Sequence, residues 1–220
     1  MDTITVERLD NLYWLGRYIE RAYQLIQMFM DGYDHMIDED EQYYIHICET
    51  LGIPNNYASK EDFISSFGFD RENPYSIISN VYKAYDNAMV MRDEISTKTL
   101  AYIHLAISEL EKAKRSSAPM FKLQRVLDNI LAFWGCLDDE VDLESTRNSV
   151  KVGKRIERLD LFVRFKKPRA ELQREVDRLI HRINTTNIKY NKAELMHVAA
   201  MVEDSPIDYQ AILLRTIKII

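Results

Sequence analysis

The sequence predicts an all-α fold, a single-domain multi-helix bundle of about seven to nine helices, on three observations. Apolar residues recur at steps of three and four along most of the chain, the period of one helical face. No alternating run of useful strand length appears, and only 6 Gly and 5 Pro punctuate the 220 residues. The hexapeptide Gly16-Arg17-Tyr18-Ile19-Glu20-Arg21 returns 137 positions later (16 to 153) as Gly153-Lys154-Arg155-Ile156-Glu157-Arg158, each copy inside a strongly helical stretch. A helix-interior glycine costs roughly 1 kcal/mol against alanine, so its repetition points to close approach of another backbone. Two related motif helices of this kind are expected to pack on each other, or around one shared polar centre, and to join both Glu-Arg pairs in one network.

The first helix is expected from about Thr5 to Ile37. Leu9, Leu12, Gly16, Ile19, Tyr23, Ile26, Met30, Tyr33 and Ile37 mark one face, and Trp14, Tyr18, Arg21, Leu25 and Met28 a second stripe. Between them runs a polar strip of Arg17, Glu20, Gln24, Gln27 and Asp31. A helix apolar over most of its circumference is a central one, covered from several sides. Arg21 then sits in an apolar stripe and needs a carboxylate or several carbonyls, because an unpaired buried guanidinium is very costly.

The elements that follow are shorter. A helix is expected from Asp38 to Gly52, capped by Asp38 or Asp40 and broken at Pro54-Asn55-Asn56. Ser59-Lys60-Glu61-Asp62 reads as the start of another, followed by Phe63, Ile64 and Phe67. Asn73-Pro74 reads as the N-cap and first turn of a helix through Ile77, Val81, Ala84, Tyr85, Ala88 and Met91. Ser96 caps the next, which runs to Lys114. After the turn Ser116-Ser117-Ala118-Pro119, an amphipathic run through Leu123, Leu127, Ile130 and Trp134 ends or kinks at Asp138-Asp139-Glu140. The second motif helix spans about Leu143 to Phe165. Lys166-Lys167-Pro168 breaks it, since proline disfavours helix at the residue before it. A charged helix to about Ile183, a loop at Asn184-Thr185-Thr186-Asn187, and helices near Lys192 to Val202 and Pro206 to Ile219 complete the chain.

Charge and cysteine content exclude several classes. With 29 basic and 35 acidic residues the net charge is −6, which argues against a broad electrostatic footprint for nucleic acid or anionic lipid. Cys48 and Cys136 lack C-x-x-C spacing, so neither a disulfide framework nor a structural zinc site is expected. The N-terminus, with Asp2 and Glu7, lacks the basic start and apolar run of a secretory leader, and no stretch approaches the ~18 apolar residues of a membrane span. A cytoplasmic protein is the expectation.

Leu12-Tyr13-Trp14-Leu15-Gly16-Arg17-Tyr18-Ile19-Glu20-Arg21-Ala22, the central Asp86-Asn87-Ala88 with Arg92-Asp93-Glu94-Ile95-Ser96, and Phe133-Trp134-Gly135 ahead of the second motif together resemble the Alpha-E family. That family is named for an α-helical domain with an ER motif, and the resemblance covers nearly the whole chain in the same order. It implies a bacterial or archaeal protein associated with an ATP-grasp-type ligase and a transglutaminase-like protease, in the setting of peptide or amide-bond synthesis and processing. The chain departs from the pattern at Lys154, Arg155 and Leu159 and at Cys136-Leu137-Asp138-Asp139-Glu140. Both Glu-Arg pairs are intact.

The candidate site residues are Arg17, Glu20, Arg21, Arg92, Asp93, Trp134, Glu157 and Arg158. For the two Glu-Arg pairs the structural reading is a buried ion-pair network that fixes helix register. The functional reading is an anion or carboxylate site, with arginine as the bidentate binder and Glu20 or Glu157 as orienting group or base. For Arg92, Asp93 and Ser96 the simpler reading is local: Ser96 caps the next helix while Asp93 pairs nearby. A helical di-iron site needs two E-x-x-H segments and two further carboxylates. Only Glu194-Leu195-Met196-His197 matches, so no metal is expected. No glycine-rich phosphate loop is present, and neither cysteine carries a nucleophile signature. No cofactor is expected.

Two functions follow as expectations. The first is a non-catalytic helical scaffold or adaptor that binds the ligase, the protease or their peptide substrate. The second is an enzyme of peptide or amide metabolism whose Glu-Arg cluster lines an anion- or carboxylate-binding cleft. Nucleic acid and membrane are not expected partners, and the sequence sets no oligomeric state.

Overall fold

A computed structural model describes residues 5–220; the reading that rested on Asp2 lies outside them. The described residues form α1 (Val6–Asp38), α2 (Tyr43–Leu51), α3 (Lys60–Phe69), α4 (Ile77–Val90), α5 (Arg92–Ile95), α6 (Thr97–Lys114), α7 (Pro119–Glu140), α8 (Glu144–Arg164), α9 (Arg169–Ile183), α10 (Lys192–Glu203) and α11 (Tyr209–Thr216). The all-α expectation holds, and no strand occurs among the described residues. The helix number was underestimated: eleven are present among the described residues, ten of them of seven residues or more. The single turn α5 accounts for one of the excess: it lies between the helix expected to end at Met91 and the one expected to start near Ser96.

Local capping explains where the elements begin. Thr5, Ser59, Ser76, Ser96, Asn191 and Asp208 each accept a hydrogen bond from a first-turn backbone N–H of α1, α3, α4, α6, α10 and α11, the usual means of satisfying an orphan donor. Two expected caps are displaced. Asn73 does not cap α4; its side chain accepts from the Tyr75 N–H at 3.0 Å to form a turn, and Ser76 caps instead. Asp40 likewise makes a turn with the Gln42 N–H at 2.9 Å, and Asp38 ends α1 rather than starting α2. In both cases an Asx side chain satisfies the backbone two residues on, one turn short of the helix.

Two apolar cores lie on either side of the α1–α8 pair. The larger is built by α1, α2, α3, α4, α6 and α7, with Phe29 of α1 meeting Phe63, Phe67 and Phe69 at ring separations of 5.9, 5.8 and 6.5 Å. The smaller joins Val152, Ile156, Leu159 and Val163 of α8 to the apolar stripe Leu172, Val176, Leu179 and Ile183 of α9, closed by residues of α10 and α11. Helix α8 therefore presents one face to each core.

Where α1 crosses α8, glycine removes the side chains from the interface. A methyl group added at Gly16 would overlap the carbonyl oxygen of Val150 and crowd the backbone nitrogen of Lys154. One added at Gly153 would overlap the carbonyl of Tyr13 and crowd the backbone nitrogen of Arg17. In each helix the contacted positions are three before and one after the motif glycine, so the crossing is reciprocal. The first-helix pattern is corrected by this packing. Glu20 and Gln24, expected on a polar strip, are buried under α8, while Trp14, expected in an apolar stripe, is 38% exposed.

Gly16→Ala and Gly153→Ala are each expected to lower stability by about 1–3 kcal/mol, the usual cost of overpacking. Gly135, exposed inside α7 with no atom within 4 Å of an added methyl, is the internal contrast. Its replacement by alanine is expected to gain about 0.4–1 kcal/mol. Denaturant midpoints check the three signs, and stabilisation at both motif glycines would remove the backbone contact from the account.

Candidate functional site

Each motif glutamate follows its glycine by four residues, which places it on the same helical face one turn away. The crossing at the glycines is too close for water at that face. Glu20 and Glu157 accordingly have no solvent exposure. A buried carboxylate is tolerated only with charged or hydrogen-bonding partners, and the opposite helix supplies them.

Glu157 receives two arginines from α1. Arg17 Nε donates to Oε2 at 2.6 Å, and Arg21 donates through Nε to Oε1 at 2.5 Å and through Nη2 to Oε2 at 3.1 Å. Burial by itself would raise the Glu157 carboxyl pKa, but the Arg21 and Arg17 guanidiniums outweigh it and hold the group below the usual carboxylate range. Glu20 is served differently. Its Oε1 accepts from Arg158 Nε at 2.6 Å and from Gln24 Nε2 at 2.7 Å, while Oε2 has no hydrogen-bond partner. Arg21, expected to be the buried member, has its side chain 33% exposed, and it is the glutamates that are fully enclosed.

The difference between the halves traces to one substitution within the repeat. Arg17 reaches across to Glu157, but its counterpart in the second copy is Lys154. That ammonium lies 3.8 Å from the centroid of the Trp134 ring and makes no hydrogen bond or ion pair among the described residues. Burial draws its pKa down to about 7, Arg158 and Arg155 act in the same direction, and Glu20 opposes them. Trp134 thus belongs to the neighbourhood through Lys154, whereas Arg17 rests over Trp14 at 5.1 Å.

Arg92 and Asp93 are not brought to this cluster. They are exposed on α5 and face each other at 3.7 Å, while Ser96 caps α6 through the Thr99 N–H at 3.2 Å. Three participants were missed by the sequence reading. Arg155 Nη1 donates to Glu175 Oε2 at 2.6 Å, Arg178 donates to Oε1 of the same residue at 3.1 Å, and Arg158 Nη1 lies 4.0 Å from Oε1. The signal was present: Glu175 falls three residues after Leu172 within the buried stripe of α9.

A large cleft lies elsewhere. It has a volume of about 1280 Å³ and is lined by Gln24 and Asp31 of α1, His46 and Glu49 of α2, Arg164 of α8, Lys167 and Tyr209. None of Arg17, Glu20, Arg21, Glu157, Arg158 or Trp134 lines it; Gln24 alone connects it to the cluster. Among the described residues no group of three or more His, Cys, Asp or Glu side chains is disposed to hold a metal ion. Glu194 of the single E-x-x-H is paired with Arg215 at 2.9 Å. Cys48 is buried, and desolvation pushes its thiol up to about 11.

Glu157→Gln is expected to cost about 3–5 kcal/mol at pH 7, because Arg17 and Arg21 lose the charge that compensates them. Arg21→Ala should cost less, since Arg17 still holds Glu157. The folded carboxyl titrates below its unfolded value, so its stabilisation is complete above the ordinary carboxylate pKa and is lost as pH falls through the folded one. The stability gap between wild type and Glu157→Gln should therefore narrow progressively as pH is lowered from about 5. Urea midpoints across that range measure it, and a gap independent of pH would contradict the ion-pair assignment.

No curated protein and no solved structure shows a significant match to the chain. No helix among the described residues is long and apolar enough to cross a membrane. Residues 8–203 match the Alpha-E family, described as a predicted alpha-helical domain with a conserved ER motif. The two Glu-Arg pairs that fasten α1 to α8 are ER dipeptides, and with the match spanning most of its length the chain belongs to the Alpha-E family.

Proposed function

We propose that this protein is a non-catalytic helical scaffold or adaptor working with an ATP-grasp-like peptide or amide ligase and a transglutaminase-like protease. The observation that carries this reading is the enclosure of both motif glutamates, each with no solvent exposure and each engaged by arginine from the facing helix. A general base must reach the proton that it removes. Glu20 and Glu157 are instead occupied in joining α1 to α8. The resemblance to relatives that neighbour such enzymes supplies the partner class. Tyr75 is 42% exposed, while Tyr82, Tyr85 and Tyr102 pack partly buried against the larger core and leave their edges at the surface. Tyrosine is enriched at protein interfaces.

The second reading is an enzyme of peptide or amide metabolism. It is favoured by the 1280 Å³ cleft, whose wall includes the Gln24 that bonds Glu20. The buried Glu20, four residues from Gln24 on the cleft wall, would then orient a binding residue rather than react. The size of the cleft fits a small peptide or a comparable ligand.

The isolated protein is expected to show no turnover of peptide or amide substrates and to be retained by an ATP-grasp-like ligase or a transglutaminase-like protease encoded beside it. A pull-down with those gene products, repeated with Tyr75→Ala after its fold has been verified by circular dichroism, tests the adaptor role. Turnover by the isolated protein that Glu20→Gln abolishes without unfolding it would replace the adaptor reading with the enzymatic one.

A further inference from the structure

Trp14, Arg17, Tyr18 and Arg21 follow one another at helical spacing on one face of α1, and each is at least partly exposed. Trp14 and Tyr18 stack at a ring separation of 5.5 Å, and the Arg17 guanidinium lies 5.1 Å from the Trp14 centroid. Lys83 of α4 reaches the same surface, its Nζ lying 5.8 Å from the centroid of Tyr18. Among the described residues the one carboxylate paired with these cations is Glu157, which is fully enclosed and shared by both arginines. Lys83 forms no ion pair there and donates only to the Pro74 carbonyl at 3.0 Å. Three cations therefore meet a single anion, and that anion lies beneath the surface. We propose that this aromatic and cationic surface is a docking site for an acidic peptide segment of a partner protein.

The arginines are able to serve both sides at once. Arg17 spends Nε on Glu157 and Nη1 on the Tyr13 hydroxyl, and Arg21 spends Nε and Nη2 on Glu157. Arg17 Nη2 and Arg21 Nη1 have no partner in the protein and are not among its buried unpartnered atoms, so both remain open to solvent. Held from behind by Glu157, these guanidiniums are already oriented, and ordering them for a ligand costs little further entropy. Carboxylates of the segment accept from the two free edges and from Lys83, while an apolar side chain of the same segment rests on Trp14, which is 38% exposed. Tryptophan, tyrosine and arginine together are the residues that dominate binding energy at interfaces. The charge favours this occupant as well: on a chain of net charge −6, a local surplus of cations draws an acidic segment to one place and not to the remainder of the surface. Through Pro74 the patch continues to the exposed Tyr75, so it extends the surface assigned to the adaptor, and the proposal rests on that reading.

The test is fluorescence anisotropy of a fluorescein-labelled, glutamate-rich peptide carrying one phenylalanine, titrated with the full chain at low salt. The same peptide with lysine in place of every glutamate is the control. The acidic peptide is expected to bind and the basic one not. Lys83→Glu lies outside the Glu-Arg network, and after its fold is verified by circular dichroism it should weaken binding about ten-fold or more. Trp14→Ala should weaken it as well, whereas Lys114→Glu, the same charge change at an exposed position on α6, should leave it unaltered. No binding of the acidic peptide, or equal losses for Lys83→Glu and Lys114→Glu, overturns the proposal. Retention by phosphatidylserine vesicles without binding of the peptide overturns it in favour of a lipid surface. In the pull-down with the neighbouring ligase or protease, loss of retention with Tyr75→Ala but not with Lys83→Glu would keep the adaptor and remove this surface from it. Peptide binding that depends on Lys83, without retention of either enzyme, would instead keep the surface and remove those two partners.

Discussion

Backbone-to-backbone contact between α1 and α8 at Gly16 and Gly153 is the constraint on which the rest of the molecule depends. At that spacing nothing separates the helices, and the residues one turn further along each must share an interface without water. They are glutamates. The arginines of the opposite motif are therefore obligatory partners, and the pairing fixes both the register and the direction of the crossing. A slip of one turn would bring side chains against carbonyls and leave two carboxylates buried without cations, a far larger penalty than the stability of a typical contact.

Buried ion pairs of this kind are weak evidence for net stability, because desolvation consumes much of the Coulombic gain. The apolar cores on either side supply the driving force. One is anchored on the phenylalanine cluster around Phe29 and the other on the stripe shared by α8 and α9. The charged layer between them selects one arrangement of those cores among several that would bury similar apolar area. Glu175 carries the same logic into α9, where it gathers Arg155 and Arg178.

Symmetry in the motif is not matched by symmetry in its chemistry. Two arginines converge on Glu157, but Glu20 has one arginine and an amide, and the residue that would complete its shell is a lysine resting on tryptophan. Architecture needs the Glu-Arg pairs closed, and the enclosure of both glutamates argues for that role. The large cleft is built by other residues of α1, α2, α8 and α11.

Helical periodicity, capping residues and breaking prolines are local properties, and they were legible: the second motif helix expected from Leu143 to Phe165 is found as Glu144–Arg164. The repeated glycine likewise announced a close contact, since no local preference retains glycine in a helix interior. Caps were misplaced at Asn73 and Asp40 because an Asx turn and a helix N-cap use the same side-chain chemistry. The apolar face of α1 expected through Leu9, Leu12, Gly16, Ile19 and Ile26 is buried, but that part of its polar strip is buried too was decided by tertiary structure alone. A strip containing Arg17, Glu20 and Gln24 reads as solvated until a second helix lands on it, and the burial of Glu20 beside a one-third-exposed Arg21 depends on which atoms the arriving helix covers. The sequence determined an all-α chain with two related helices and two Glu-Arg pairs. Only the packing decided that Glu157 holds two cations, that Lys154 holds none of the acids, and that Arg92 and Asp93 stand apart, because those outcomes follow from distances between residues far separated along the chain.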